Sequence, residues 1–312
     1  MLDAIVVGGG PAGASAALIL GRCRRRVLVV DAGTPRNARA AGVHGFLTRD
    51  GTPPAELLRI ARDELRRYET VTLLHGTVVG AARHGDVFEV TTADGARATA
   101  RTLLLATGIV DTLPSIDGLP ALYGRSVHAC PYCDGWEERD RRLAALARGP
   151  GADTFAFALR TWSPDVVLLT NGPDGVDADA RATLAAHGIA LREDPIATLE
   201  GHDGRLERVR FTSGDALARD AVFFHLGQRQ RSTLADRLGC AVDEDGGIRA
   251  GACGETTVPG VWVAGDASRD VQLAIVAAGE GAQAAFAINR ALCRAGMEEF
   301  RSRATAAAAR RA

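Results

Sequence analysis

Two cysteines set two residues apart, Cys130 and Cys133 in the stretch Cys130-Pro131-Tyr132-Cys133-Asp134-Gly135-Trp136, are the side chains of this sequence best equipped for chemistry. At that spacing two thiols either close a small disulfide ring or present a pair of metal ligands. In the redox reading one thiolate is the nucleophile and the other thiol resolves the mixed disulfide, so one motif passes two electrons. Asp134 follows the second cysteine directly and can exchange the proton that accompanies each thiol–disulfide step. In the metal reading the pair is half of a four-cysteine zinc site, which needs a second Cys-x-x-Cys or Cys/His pair at suitable spacing. The other cysteines, Cys23, Cys240, Cys253 and Cys293, are single and scattered. The spacing therefore favours redox, no metal is expected, and another part of the chain must exchange the electrons.

The N-terminal residues supply a candidate. Residues 3–7 form a short apolar run ending in Gly8-Gly9-Gly10-Pro11-Ala12-Gly13, and an alanine-rich helical stretch follows over 14–20. Strand, tight glycine turn and helix form the context in which Gly-x-Gly-x-x-Gly binds a dinucleotide. Gly8 allows the turn, Gly10 lets a pyrophosphate approach the backbone, and Gly13 lets helix and strand pack closely. The helix N-terminus then faces the phosphates with free N–H groups. A second strand over 26–30 ends in Asp31, near the ~20-residue offset of a ribose-binding acid. Residues 34–50 read as loop, and from pattern alone His44 is a surface-loop histidine. Residues 55–68 read as an arginine-rich amphipathic helix with a solvated face. Strands are expected over 71–74, 87–92 and 102–105, with Asp94-Gly95 as a hairpin turn. The last strand ends in Ala106-Thr107-Gly108, at the strand end where open α/β sheets bind ligands.

Composition bounds the rest. The chain of 312 residues has room for about two domains. It is 46% hydrophobic and 24% charged with net charge −1, which argues against a general nucleic-acid or membrane-surface binder. The sequence contains no lysine, all 37 Lys/Arg positions being arginine, which excludes lysine Schiff-base chemistry and a lysine phosphate clamp. No apolar run approaches a membrane span. The first strand starts at residue 3, so no signal peptide is expected, and six cysteines without one point to a reducing cytoplasm.

The glycine turn, Asp31, Ala106-Thr107-Gly108, Cys130-Pro131-Tyr132-Cys133-Asp134 and Pro259-Gly260-Val261-Trp262-Val263-Ala264-Gly265-Asp266-Ala267 occur in that order along nearly the whole chain. Together they resemble the low-molecular-weight thioredoxin reductase family of flavoproteins. The resemblance implies an α/β fold of two Rossmann-like, three-layer nucleotide-binding domains, the second inserted in the first. Residues 1–115 and 248–312 would bind FAD, and 116–247 would form an NAD(P)-binding-like domain carrying the cysteine pair. It implies FAD held by Gly8, Gly10, Pro11, Ala12, Gly13, Asp31, Ala32, Asn37, His44, Ala106, Thr107, Gly108, Gly265 and Asp266, with Asp266 on the ribityl chain. Gln272, Leu273 and Ala274 would lie beside the isoalloxazine, at the start of a helix running to about residue 292. There the helix N-terminus would favour the negative charge of reduced flavin. By the same resemblance Cys133 would face the flavin, Cys130 would exchange with substrate, Asp134 would be the acid/base, and the protein would be a homodimer.

The second domain departs from the reductase pattern. Its first strand, 142–147, leads into Arg148-Gly149-Pro150-Gly151-Ala152-Asp153, with Ala147 and Arg148 where the first two glycines are expected. Side chains there obstruct a pyrophosphate, and Asp153 near the helix start repels it. The next strand, 166–170, ends in Asn171-Gly172-Pro173-Asp174 without the arginines that a 2′-phosphate calls for; Arg160 and Arg181 are the nearest in sequence. These departures argue against bound NADP(H). A flavoprotein with the cysteine pair and a weakened NADPH site resembles the dithiol oxidases of gliotoxin, holomycin and related natural products. The expectation is an FAD-dependent enzyme that oxidises a small-molecule dithiol to an intramolecular disulfide, with oxygen or NADP+ as acceptor. The alternative is a thioredoxin reductase-like enzyme with a thioredoxin-like protein as partner and NADPH or another donor. A flavin-binding redox sensor without turnover is a third reading. Tyr132 and Trp136 are expected to flank an apolar substrate pocket, the single cysteines to be buried or incidental, and the arginine-rich tail, 301–312, to be frayed.

Overall fold

The structure, a computed structural model, describes residues 1–173, 176–268 and 271–309. Asp174, at the second strand-end expected to lack a phosphate clamp, and Arg310 and Arg311 of the tail lie outside them. The first strand, β1 (Leu2–Val7), is buried from Ala4 to Val7 and lies between parallel neighbours β2 (Val27–Asp31) and β6 (Arg97–Leu105). An unbroken apolar run is what a parallel strand covered on both faces requires. Between β1 and β2 runs α1 (Pro11–Arg22), which opens on a proline directly after the glycine turn. Helix α2 (Pro54–Leu65) leads to β3 (Val71–His75), the outer neighbour of β2. Strands β4 (Val78–His84) and β5 (Val87–Thr92) then pair antiparallel, and β5 turns through Asp94-Gly95 into β6. The Val-Val-Gly-Ala-Ala pattern of β4 carries no strand signal; pairing with β5 makes it one.

The chain leaves this sheet through β7 (Ile109–Asp111) and the short α3 (Leu119–Leu122). Strand β8 (Val127–His128) delivers α4 (Pro131–Asp134), and β9 (Leu143–Ala147), α5 (Ala152–Ala158), β10 (Val166–Leu169), α6 (Ala178–Ala186) and β11 (Ala190–Arg192) follow. An antiparallel meander of β12 (Ile196–His202), β13 (Arg205–Phe211) and β14 (Ala216–Ala218) precedes β15 (Ala221–His225). The resulting parallel sheet runs β11-β10-β9-β15-β8. Return is through β16 (Gln228–Gln230), which pairs antiparallel with the outgoing β7. After α7 (Leu234–Arg237), strand β17 (Val261–Val263) joins the first sheet beside β6. Two sheets of the Rossmann kind, the first parallel except for the antiparallel β4–β5 edge and joined to the second by the β7–β16 ribbon, are therefore the frame on which the cysteines and the glycine turn are hung.

The last helix, α8 (Ala274–Ala309), corrects two expectations: it runs well past residue 292, and residues 301–309 are helical rather than frayed. Its C-terminal half is rich in Ala, Arg and Glu, all strong helix formers, and no proline stops it. Helix α8 covers α1 at Gly281, where an added Cβ would lie 2.0 Å from the Ala12 carbonyl oxygen, so the two backbones meet directly. No described helix is long and apolar enough to cross a membrane. We expect Gly281→Val to force α8 off α1 and lower stability by about 1–3 kcal/mol, as overpacking does. Urea melts check this, and an unchanged midpoint would contradict the close crossing.

Candidate active site

A cavity of about 560 Å³ opens at the carboxyl ends of β1, β2, β6 and β17 and is roofed by the residues around the cysteine pair. Its floor is set by a close approach of two strand ends. Gly8 has φ +106°, and a Cβ there would sit 2.2 Å from the Ala106 carbonyl oxygen, so Ala106-Thr107-Gly108 lies against the glycine turn. Gly13 is not on the cavity wall; its added Cβ would meet the Gly8 carbonyl oxygen at 1.9 Å, so its smallness serves helix–strand packing. Gly10 faces open space, and α1 begins there with no side-chain cap, leaving its first N–H groups directed at the cavity. Asp31 accepts from the Gly9 N–H at 3.1 Å and from Arg62 at 3.0 Å. Room at Gly10, uncapped donors and an acid at the end of β2 fit the pyrophosphate and ribose of FAD.

The remaining expected cofactor residues converge on this cavity. Pro11, Ala12, Ala32, Asn37, Thr107, Gly108, Gly265, Asp266, Gln272, Leu273 and Ala274 all line it. His44 does too, with Nδ1 3.5 Å from Glu137 and 3.8 Å from Asp50, so it lies at the rim near the roof rather than alone on a surface loop.

One side chain lining the cavity had no motif to announce it. Arg36 donates to both Asp111 oxygens, at 2.6 and 2.9 Å, to Asp266 at 3.2 Å and to Gln272 at 2.7 Å. Asp111 also accepts from the Tyr123 hydroxyl at 2.9 Å and from Gln228 at 3.2 Å. Burial opposes the charge on each partner. The pair nevertheless holds Arg36 above its usual value and Asp111 below its own, and Tyr123 is pushed up by burial and by Asp111.

Cys130 and Cys133 are joined as a disulfide and face the same cavity as the glycine turn. Cys130 is the N-cap of α4, its sulfur accepting from the Cys133 N–H at 3.1 Å. The same cavity is lined by His128, whose side chain is 5% exposed and which belongs to no motif in the sequence. Its Nε2 is 3.3 Å from Glu138, whose other oxygen accepts from Arg141 at 3.0 Å. Nδ1 is 3.5 Å from Asp134 Oδ2 but is not aligned for a hydrogen bond. Burial lowers the basicity of this imidazole, but Asp134 and Glu138 outweigh it and push the pKa up to about 9. Among the described residues no group of three or more His, Cys, Asp or Glu is placed to hold a metal ion.

Tyr132 and Trp136 are 79% and 65% exposed and do not line the cavity, which corrects the expectation that they wall a pocket. Tyr132 meets Trp162 edge-on and Trp136 is covered by the Arg139 guanidinium, so both pack outward on local partners. Of the single cysteines, Cys240 is buried and Cys253 partly so, while Cys23 and Cys293 are exposed.

At the end of β9 the second turn is different. Gly149 and Gly151 have φ of +68° and +86°, and neither would crowd an added Cβ. The Arg148 side chain, however, donates from Nε to the Thr170 carbonyl at 2.7 Å and from Nη2 to the Asn171 carbonyl. It thus lies across the end of β10, where the second nucleotide of such a fold would rest. Arg160 is bonded to the His187 carbonyl and Arg181 to Glu193 at 2.6 Å, so both nearby arginines have partners away from that turn. Helix α5 carries Asp153 in its first turn.

The family described as pyridine nucleotide-disulphide oxidoreductase matches residues 2–281. Among solved structures, the chain is similar to that of HlmI, with 38% identity, TM-score 0.93, and coverage of 100% of this chain and 98% of that one. It is also similar to an oxidoreductase from Agrobacterium tumefaciens, with 36% identity, TM-score 0.87 and coverage of 94% and 98%. A curated relative, thioredoxin reductase tcpT of Claviceps purpurea, is 32% identical over 278 residues, covering 85% of this chain and 86% of its own.

The raised His128 pKa has a signed consequence. Its folded value, about 9, exceeds its unfolded value of 6.5. The stabilisation is therefore fully present below pH about 6.5 and is lost as pH rises through about 9. The stability difference between wild type and His128→Gln should shrink across that window in thermal melts. A difference that stays constant through pH 9 would contradict the charged imidazole.

Proposed function

Since the chain belongs to the pyridine nucleotide-disulphide oxidoreductase family and is a thioredoxin reductase-like flavoprotein, we propose that it oxidises a small-molecule dithiol to an intramolecular disulfide through Cys130–Cys133. The observation that carries the direction is the Arg148 guanidinium lying across the end of β10. An incoming nucleotide at the second turn would have to displace those hydrogen bonds and approach Asp153 as well. Electrons therefore enter from a thiol substrate rather than from NADPH. We take residues 1–115 with 248–312 as the flavin-holding unit and 116–247 as the unit that carries the disulfide.

In the reaction one substrate thiolate attacks a cysteine sulfur, the Cys130–Cys133 bond breaks, and the released cysteine leaves as a thiolate. The second substrate thiol attacks the mixed disulfide, the substrate departs as a cyclic disulfide, and the enzyme pair is left reduced by two electrons. We take Asp134 as the group that exchanges protons with the pair. Bound FAD would supply the two-electron carrier between the cysteines and the final acceptor, oxygen. Gly8, Gly10, Asp31 and the uncapped start of α1 would hold its diphosphate and ribose, and Asp266 and residues 272–274 its ribityl and ring end. A disulfide already facing the glycine-turn cavity favours a reaction that needs no swing of one sheet against the other.

The second reading, reduction of a thioredoxin-like protein, draws support from the name of the C. purpurea relative. Oxygen uptake with dithiothreitol as the dithiol separates the two. We expect dithiol-driven uptake that falls at least about a hundredfold in Cys130→Ser and Cys133→Ser while flavin content is kept. Thioredoxin reduction by NADPH, with no dithiol-driven uptake, would overturn the oxidase.

A further inference from the structure

Strand β8 ends in His128, two residues before Cys130, and His128 lines the same cavity as the disulfide. The ring stacks on Phe223 of β15, with centroids 5.1 Å apart. Glu138 holds Nε2 from one side, and Arg141 in turn holds Glu138. On the other side Nδ1 has no aligned partner, yet it lies 3.5 Å from a carboxylate that opens on the cavity with both cysteines. A buried polar atom left unpaired carries a desolvation cost. A small turn of the Asp134 carboxyl would remove that cost and make the bond. Such a geometry suits a bond that forms and breaks during a cycle better than one that only holds the fold.

We infer that His128 is a positioning residue that stores a proton for Asp134, with Glu138 anchoring the ring from behind. The inference rests on the reading of Cys130–Cys133 as the working pair. As the disulfide breaks, its bonding electrons stay on the released cysteine, and Asp134 passes that thiolate a proton refilled from His128 Nδ1. When the second substrate thiol attacks the mixed disulfide, its proton returns through Asp134 to His128. Two electrons have moved from substrate to enzyme, one proton from the first substrate thiol has gone to solvent, and the store ends as it began. The titratable groups facing the imidazole are Asp134 and Glu138, the latter carrying Arg141; from β15 it meets Phe223, which does not titrate. Despite its burial, the two carboxylates keep the store loaded at neutral pH.

The test reads the thiols without substrate or acceptor. Flavin-loaded protein, reduced and kept anaerobic, is alkylated with iodoacetamide across about pH 5–10, in wild type, His128→Gln and Glu138→Gln, while imidazole NMR follows His128 in wild type. We expect a wild-type imidazole that is protonated at neutral pH. His128→Gln, which leaves the Asp134 charge beside the thiols uncompensated, should slow alkylation roughly tenfold near neutral pH. Glu138→Gln should move the alkylation profile the same way at pH values where its imidazole has lost its proton. Profiles unchanged in both variants, or a neutral wild-type imidazole near pH 7, would overturn the inference; the latter decides it even if neither variant folds. No dithiol-driven oxygen uptake by the wild type, with the variant alkylation profiles shifted as expected, would sink the oxidase reading and leave the proton store standing.

Discussion

A guanidinium removed from water must be surrounded by acceptors, and Arg36 gathers its acceptors from distant parts of the chain. It binds Asp111 on β7, Asp266 after β17 and Gln272 just before α8. Asp111, whose side chain is 3% exposed, is bonded in turn to Gln228 on β16. Strands β7 and β16 are the two connections between the sheets, so this cluster fixes how the disulfide-bearing sheet hangs over the glycine-turn cavity. Deleting one partner of a buried ion pair costs about 3–5 kcal/mol because the other charge is stranded. The meeting of the cysteines with the first cavity therefore depends on this buried pair as well as on the apolar cores of the separate sheets.

The two glycine turns show how one fold gives one open site and one obstructed one. At the first, Gly8 touches Ala106 and Gly10 leaves an open gap with room for a diphosphate. At the second, the residue after the strand is Arg148, and its side chain satisfies the carbonyls of Thr170 and Asn171. Capping those carbonyls contributes to stability only while the crevice is without a nucleotide. One side chain in place of a glycine thus sets the second turn apart from the first.

Much of the site was legible because its determinants are local. A glycine turn announces itself through residues that are neighbours in sequence, and so do Asp31 at a strand end and two cysteines in one helical turn. His128, Glu138 and Arg36 were not legible, since each gains its role from a partner that tertiary packing supplies. His128 sits on a strand of two residues, and Glu138 lies beyond the motif in a stretch that reads as charged surface. Arg36 looked like one polar residue of a loop, and its partners are 75 and 230 positions away. The length of α8 was missed for the opposite reason: its last turns offer strong helix formers and no stop signal, and the tail was read by its charge. Tyr132 and Trp136 misled because aromatics beside an active pair suggest a pocket, whereas here both find partners outside it.

The most direct test of the account is anaerobic flavin absorbance, titrated first with NADPH and then with dithiothreitol, before air is readmitted. The account predicts bleaching by the dithiol, none by NADPH, and recovery in air. Rapid stoichiometric bleaching by NADPH would contradict it, because Arg148 would then not bar the second turn and electrons would enter from the nucleotide.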